Sequence, residues 1–433
     1  MKFKMTSLKI ISFLWLGAIF GSGIGFGVQV ILARTLGAES FGLFTATIGT
    51  INLIMPLAGF GIAAFWLKIF GQEGWGALRW LPSSFNFILI STFLVIIALI
   101  IWATVGPHDP TTRSLLKILS LLVLGNVALE LLKSKLQLEE KYISLAVWQL
   151  AYPLLKLVMV ISLVFMEKST ILSIGWGFSI LSIVIFFSAS LALFEMLRGK
   201  FYLQGHGEKD SLFMQSTLIP STTKEVCKQS WAFGFAGMFY IIWSTSNVVL
   251  LKYFSGDVYA GIYGVSLLVI NAICILPGVI YSKYLMPKIH RWANQDIMQL
   301  KEIYTLGNKI MLLIGTLMMV SLFLSSNYII EHIFGDEFSE SANLLLILAI
   351  TLPIKFVGHS VGAMLVTKDN MYKKVKAMGV VATLNVMMNI IAIPIWGIYG
   401  VAVTSIISEV ILLLLYYLLV KKVYLDTNWC VKQ

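Results

Sequence analysis

The stretch Val28 to Phe44, VQVILARTLGAESFGLF, decides the fold, because its pattern returns half a chain later as Val248 to Tyr263, VVLLKYFSGDVYAGIY. Aligning the two sets Arg34 on Lys252, Glu39 on Asp257 and Phe41 on Tyr259, each 218 positions apart. After one slipped residue the register holds roughly, with Pro56 answering Pro277 at 221. Each copy reads as an apolar run, a cation at its edge, a glycine-containing turn with an acid, an aromatic residue and a second apolar run. That is a hairpin of two membrane helices used twice, and it predicts two similar lobes.

Composition places the chain in a membrane. Hydrophobic residues make up 58% of the 433 and charged residues 12%, against about 45–50% and about 25% in soluble domains. The basic start, Met1 to Lys9, leads into a glycine-rich apolar run with no small-residue cleavage site, which predicts a first span and not a removed signal peptide. Cys227, Cys274 and Cys430 lie far apart, so neither a disulfide framework nor a metal site is expected. The net charge of +11 comes from lysines in short loops between apolar runs. Topology explains them better than a nucleic-acid partner does.

A helix needs about 20 apolar residues to cross about 30 Å of hydrocarbon. Such runs fall near 10–33, 41–67, 82–105, 115–132, 144–166, 170–197, 231–251, 259–285, 306–325, 342–366, 376–395 and 397–420. They predict an all-α polytopic membrane protein of twelve helices, six per lobe. Residues 1–197 form the N-terminal lobe, 198–229 a cytoplasmic linker, 230–420 the C-terminal lobe and 421–433 a cytoplasmic tail. With the N-terminus inside, 25 Lys and Arg fall in inner segments and 5 in outer loops. This bias predicts that both termini are cytoplasmic. The inner segment Lys288 to Tyr304 mixes apolar and charged residues at helical spacing, as a helix lying on the membrane surface does.

Pro56, Pro153, Pro277, Pro353 and Pro394 interrupt spans, and each frees a carbonyl and kinks its helix. Gly17, Gly21, Gly23, Gly25 and Gly27 crowd the first span, where small residues let helices approach closely.

No span carries a nucleophile with its base, a ligand cluster or a phosphate-cradling loop, so no enzyme is expected. What remains is a set of ionisable residues at membrane depth: Glu130, Lys156, Lys355, His359 and Glu409. Such groups are expensive in hydrocarbon and mark a pathway or a partner. Transporters built from repeats place their substrate site near mid-membrane at the repeat interface. Lys355 and His359 are four apart and share a helix face just after Pro353. A repeat offset of 229 sets Asn126 opposite Lys355 and Glu130 opposite His359, which gives an acidic patch on one lobe and a basic one on the other. Lys156 pairing with Glu130 or Glu409 to hold helices together is the competing reading, and for Glu409 a structural role is favoured. Arg34 and Lys252, at outer helix ends, suit headgroup contact. Asn385 and Asn389, also four apart, suit bonds to neighbouring helices, with sugar contact as the alternative.

Three segments carry a family resemblance: LARTLGAESFGLF (32–44), IFGDEFSESANLLLILAITLP (333–353) and NVMMNIIAIPIWGIYGVAVTSIISEV (385–410). Together they resemble the polysaccharide-transporter branch of the multidrug/oligosaccharidyl-lipid/polysaccharide exporter superfamily, which includes the Wzx-type O-antigen and capsule repeat-unit flippases. The resemblance implies two six-helix bundles in a V around a cationic cavity. It also implies an undecaprenyl-diphosphate-linked oligosaccharide moved from the inner to the outer leaflet of a bacterial plasma membrane. Lys156 and Lys355, with Arg34 near the rim, match the cationic role. Such a role implies a lipid bilayer and the lipid-linked glycan as partners, with a polysaccharide polymerase and a chain-length regulator beside them. No cofactor or metal is implied, and coupling to protons or sodium is left open.

Three other readings compete. Drug and cation exporters of the same superfamily need acids in the cavity, and the first span has none between Lys9 and Arg34. Lipid II flippases usually carry helices beyond twelve. A polysaccharide polymerase or ligase needs a large outer loop, whereas the longest here, around Ser326 to Ser341, is under twenty residues.

Overall fold

A computed structural model describes residues 5–203, 221–286, 289, 292, 297–366 and 370–425. Most of the expected linker core, the surface helix before Ile297 and the C-terminal tail lie outside the described residues. Thirteen helices account for nearly all of the rest: α1 (Met5–Ile54), α2 (Ile62–Glu73), α3 (Leu81–Val105), α4 (Pro110–Leu119), α5 (Leu122–Leu138), α6 (Tyr142–Phe165), α7 (Ile171–Leu197), α8 (Thr223–Ser255), α9 (Asp257–Val279), α10 (Ile297–Ile329), α11 (Ser339–Ala349), α12 (Thr351–Met364) and α13 (Met371–Val420).

Length and hydropathy mark Ile19–Val105, Pro110–Leu138, Tyr142–Phe165, Ile171–Leu197, Phe233–Ser255, Asp257–Val279, Ile297–Phe334 and Met371–Val423 as membrane-crossing. Asp336–Ala349 and Thr351–Met364 form one further crossing, bent by 48°. The first of these runs holds three crossings, because α1 is divided at Gly37 and α3 follows α2. The last holds two, on either side of Gly397. Among the described residues the crossings therefore number twelve. The fourth is longer than its sequence run, because α4 and α5 continue one another from Pro110 to Leu138.

The repeat is visible in the backbone. Gly37 has φ 72° and ψ 173°, and Gly256 has φ 100° and ψ 172°. This region of conformational space is essentially open only to glycine. The two breaks lie 219 residues apart, so the structural register is one residue longer than the sequence alignment gave. Arg34 and Lys252 are consequently not equivalent. Arg34 donates to the carbonyls of Ile333 (2.7 Å) and His332, at the end of the helical run from α10, whereas Lys252 pairs with Asp257 at 2.6 Å. The Lys252 charge is met within the protein, while Arg34 stays exposed alongside its two carbonyl bonds.

Packing divides the chain into two compact units, Met1–Val28 with Thr47–Met238, and Gln29–Ala46 with Phe239–Gln433. These boundaries differ from a simple cut at the linker: the middle of α1 packs with the second unit, and α8 up to Met238 packs with the first.

In the first unit the core gathers Phe65, Trp66 and Phe70 of α2 with Trp80, Leu131, Met196, Leu203 and Val226. Phe65 and Trp80 meet edge to face with centroids 5.4 Å apart, the arrangement ring quadrupoles prefer. Serines of α7 tie it to α5 and to α4. The Gly125 N–H donates to Ser182 Oγ (3.2 Å), and Ser179 Oγ donates to the Ile118 carbonyl (2.7 Å). Of the five α1 glycines, Gly17 lies against Ala146 and Gly21 against the Gln149 carbonyl of α6, while a Cβ on Gly23, Gly25 or Gly27 would meet nothing within 4 Å. Close packing thus explains two of them. Helix α8 opens on a reciprocal cap: the Thr222 N–H donates to Glu225 Oε2 (2.8 Å) and the Glu225 N–H to Thr222 Oγ1 (3.3 Å). The Thr222 N–H also holds the Glu225 carboxyl below its ordinary pKa.

In the second unit the repeated hairpins meet each other. A Cβ on Gly42 would overlap the Asp257 carbonyl oxygen and lie 2.6 Å from the Gly261 nitrogen, and one on Gly261 would overlap the Ala38 carbonyl. Two glycines, with no Cβ on either, allow this approach. The Ala38 N–H, just past the Gly37 break, donates to Glu337 Oε2 (3.1 Å). Serines again tie helices together, since Ser266 Oγ donates to the Ser341 carbonyl and Ser341 Oγ to the Ile262 carbonyl, both at 2.9 Å. The prolines act in different ways. Pro153 and Pro277 stay inside helices, Pro56 sits in a tight turn at Met55–Leu57, and Pro353 is the third residue of α12. The 48° bend beside Pro353 therefore falls at Ile350, one helical turn earlier.

Candidate functional site

The second unit contains a cavity of about 240 Å³ whose walls come from α8, α9, α11, α12 and α13. Its polar lining includes Asn247, Tyr263, Lys355, His359, Lys374 and Glu409, with Trp243 and Tyr416 among the aromatic residues. This volume is below the range of about 300–1,000 Å³ usual for small-molecule pockets.

Lys355 on α12 and Glu409 on the second arm of α13 form an ion pair. The Lys355 side chain keeps 22% of its surface exposed and Glu409 keeps 6%, so the pair is largely enclosed, Glu409 the more so. Lys355 Nζ also lies 4.9 Å from the centroid of the Trp243 ring, a cation–π contact that offsets part of its desolvation. His359, one turn on, lines the same cavity, as the four-residue spacing requires.

Below this pair runs a ladder of amides and hydroxyls. Asn247 Nδ2 donates to Tyr263 Oη (2.8 Å) and Ser405 Oγ (3.0 Å), and its Oδ1 accepts from Asn389 Nδ2 (2.7 Å). Asn389 Nδ2 also reaches Asn385 Oδ1 (3.1 Å), Thr404 Oγ1 donates to Asn389 Oδ1, and Asn385 Nδ2 donates to Ser408 Oγ (2.9 Å). Asn385 and Asn389 are 1% and 0% exposed. Their amides tie α8 to the two arms of α13, which is the bonding to neighbouring helices that the spacing suits. Replacing Asn389 with Leu removes three of these bonds. At about 0.6 kcal/mol for a typical interhelical hydrogen bond, the expected loss is about 2 kcal/mol. Thermal unfolding in detergent checks it, and an unchanged midpoint would remove the ladder as a structural element.

The residues singled out in the sequence separate into two groups. Lys355, His359, Asn385 and Glu409 line this cavity, and Asn389 is buried in the ladder that underlies it. Lys156 and Glu130 belong to the first unit. Lys156 Nζ lies over the rings of Tyr152 (4.2 Å) and Phe178 (4.8 Å) of its own unit. Glu130 pairs with Lys133 at 2.9 Å on an exposed surface, and Asn126 donates to the Leu122 carbonyl of its own helix. Within the first unit Lys156 meets rings, and Glu130 pairs with Lys133.

Lys374 escaped the sequence reading. It was counted among inner-loop cations, but α13 begins at Met371, and the side chain of its fourth residue turns into the cavity. Its Nζ lies 5.8 Å from the Tyr416 ring centroid, and among the described residues it has no ion-pair partner. Trp243, Asn247, Tyr263 and Tyr416 also went unmarked, since aromatic residues and one amide in apolar runs read as packing. Among the described residues no group of three or more His, Cys, Asp or Glu is placed to hold a metal ion.

Comparison with known proteins adds an independent line. A family model described as polysaccharide biosynthesis protein matches residues 7–291. The chain is 23% identical, over an alignment of 438 positions, to a probable low-salt glycan biosynthesis flippase, Agl15, of Haloferax volcanii, covering 96% of this chain and 85% of that protein. Among solved structures it is similar to the lipid II flippase MurJ in an inward closed conformation, with TM-score 0.70, 15% identity and coverage of 94% and 87%. It is also similar to a multidrug resistance MATE family transporter of the MOP superfamily in an inward-facing conformation, with TM-score 0.65, 14% identity and coverage of 94% and 96%. At such identities the structural likeness establishes a shared fold.

Proposed function

Because the chain belongs to the polysaccharide biosynthesis protein family, we propose that it is a flippase for oligosaccharides linked to a polyisoprenyl diphosphate, working by alternating access. In this reading Lys355, with Lys374 and His359 beside it, attracts the diphosphate. One observation carries the chemistry: a lysine at membrane depth that faces the cavity of the second unit. By insertion scales a central lysine is unfavourable by about 2.5–3.5 kcal/mol, so it needs an anionic partner or a wet space, and this one has both. An ammonium also holds phosphate as a point charge and releases it more readily than a guanidinium fork. The substrate is a repeat unit for O-antigen, capsule or exopolysaccharide, delivered in a bacterial inner membrane to a polymerase with its chain-length regulator, and both termini are cytoplasmic.

The likeness to MurJ favours a second reading, lipid II as the substrate, which carries the same diphosphate. Deleting the gene separates the two. Loss of surface glycan with accumulation of its lipid-linked precursor, in cells that keep dividing, is the expected outcome. Lysis with accumulated peptidoglycan precursors would replace it with the lipid II reading. Altered dye extrusion with normal surface glycan would point to a drug exporter instead.

A further inference from the structure

Among the residues lining the cavity, Lys355 and Lys374 are the lysines, and Glu409 is the one carboxylate. Glu409 already occupies the cation that the proposed substrate needs. We infer that Glu409 competes with the lipid-linked diphosphate for Lys355 and thereby limits how tightly the cavity holds it, so that release is possible. The inference rests on the substrate reading above and assigns Glu409 as a positioning residue that acts through Lys355.

Three features support competition over mere cross-bracing. First, the partners come from different helices, α12 and the second arm of α13, so their separation requires neither helix to unfold. Second, the pair is asymmetric. Glu409 keeps 6% of its side-chain surface exposed, and the preceding residue, Ser408, is held by Asn385 Nδ2 and by its own bond to the Thr404 carbonyl (2.7 Å), whereas Lys355 keeps 22%. The ammonium, on a flexible four-carbon stem, is the member with more freedom to turn. Third, an ammonium has three donors and no fixed fork, so it can begin a bond to an incoming phosphate before leaving the carboxylate. Lys374, with its ring contact to Tyr416 and no ion-pair partner among the described residues, supplies a first uncommitted cation on the same wall.

The test uses the full-length protein in lipid nanodiscs. Farnesyl diphosphate is the binding probe, farnesol the uncharged control, and flipping of a fluorescent lipid-linked oligosaccharide in proteoliposomes the turnover readout. Glu409→Gln is expected to tighten farnesyl diphosphate by about tenfold, the size of a typical coupling between sites, while slowing turnover and leaving farnesol unaffected. Glu409→Asp, which withdraws the carboxylate by one methylene, is expected to fall between Gln and the native protein in both measurements. A purely structural acid would not improve binding and slow turnover together. Unchanged or weaker binding in Glu409→Gln overturns the inference. Should that variant fail to fold, native values in Glu409→Asp overturn it equally. Lys355→Met provides the separating control: native affinity there defeats the substrate reading itself, whereas lost affinity there with an unmoved Glu409→Gln defeats only the competition.

Discussion

Lys355→Ala is expected to abolish glycan export, and Lys355→Arg to keep part of it. The alanine variant alone is ambiguous, because it leaves the Glu409 carboxylate buried without its ion-pair partner. Breaking a buried pair in this way is destabilising by about 3–5 kcal/mol, whereas replacing both members with well-packed apolar residues is often neutral or even stabilising. The informative variant is therefore the double substitution Lys355→Met with Glu409→Met. It is expected to accumulate in the membrane and unfold near the native temperature while exporting no glycan. Surface polysaccharide and thermal unfolding, measured on the same variant, check the two halves. Normal export by the double variant would show that the pair only braces α12 against α13, and the diphosphate would have to bind elsewhere.

The elements that carry this argument were unequally visible in the sequence. The crossings were legible because each needs an unbroken apolar run, and the hairpin repeat because Gly37 and Gly256 leave a helix–glycine–helix signature. The register was misread by one residue, since side-chain likeness aligned Arg34 with Lys252 although the backbone aligns Gly37 with Gly256. Side chains of like charge were doing different work, one capping carbonyls and one bonding a nearby acid. The shared face of Lys355 and His359 followed from spacing alone. The partner of Lys355 did not, because nothing in a linear chain says which arm of α13 lies behind α12. Lys374 was missed for a related reason: hydropathy starts a span at its first apolar residue, while the helix and its cavity start earlier, at Met371. Likewise the traded segments, Gln29–Ala46 and the start of α8, follow from close packing that a hydropathy profile does not record.

That close packing sets the second large effect, expected at Gly42. Gly42→Val places a branched side chain where a single Cβ would already overlap the Asp257 carbonyl and crowd the Gly261 nitrogen at 2.6 Å. Both obstacles are backbone, so no rotamer change relieves them, and the two hairpins must move apart. Overpacking of a core typically costs about 1–3 kcal/mol when side chains can adjust, and here the adjustment has to come from helices. Separation would also stretch the Ala38 N–H from Glu337 and disturb the Phe41–Phe338 contact, whose rings meet edge to face at 6.0 Å. The variant is therefore expected to lose at least about 3 kcal/mol and to accumulate poorly. Gly264→Ala, on α9 and one turn beyond Gly261, is the matched control, because its Cβ would meet Thr45 Cγ2 at an ordinary 3.5 Å. Detergent-solubilised melting curves should place Gly264→Ala close to the native protein and Gly42→Val far below it. Equal midpoints for the two variants would mean that the hairpins do not depend on this glycine crossing, and the repeat would have to be held together by the Arg34 and Glu337 bonds alone.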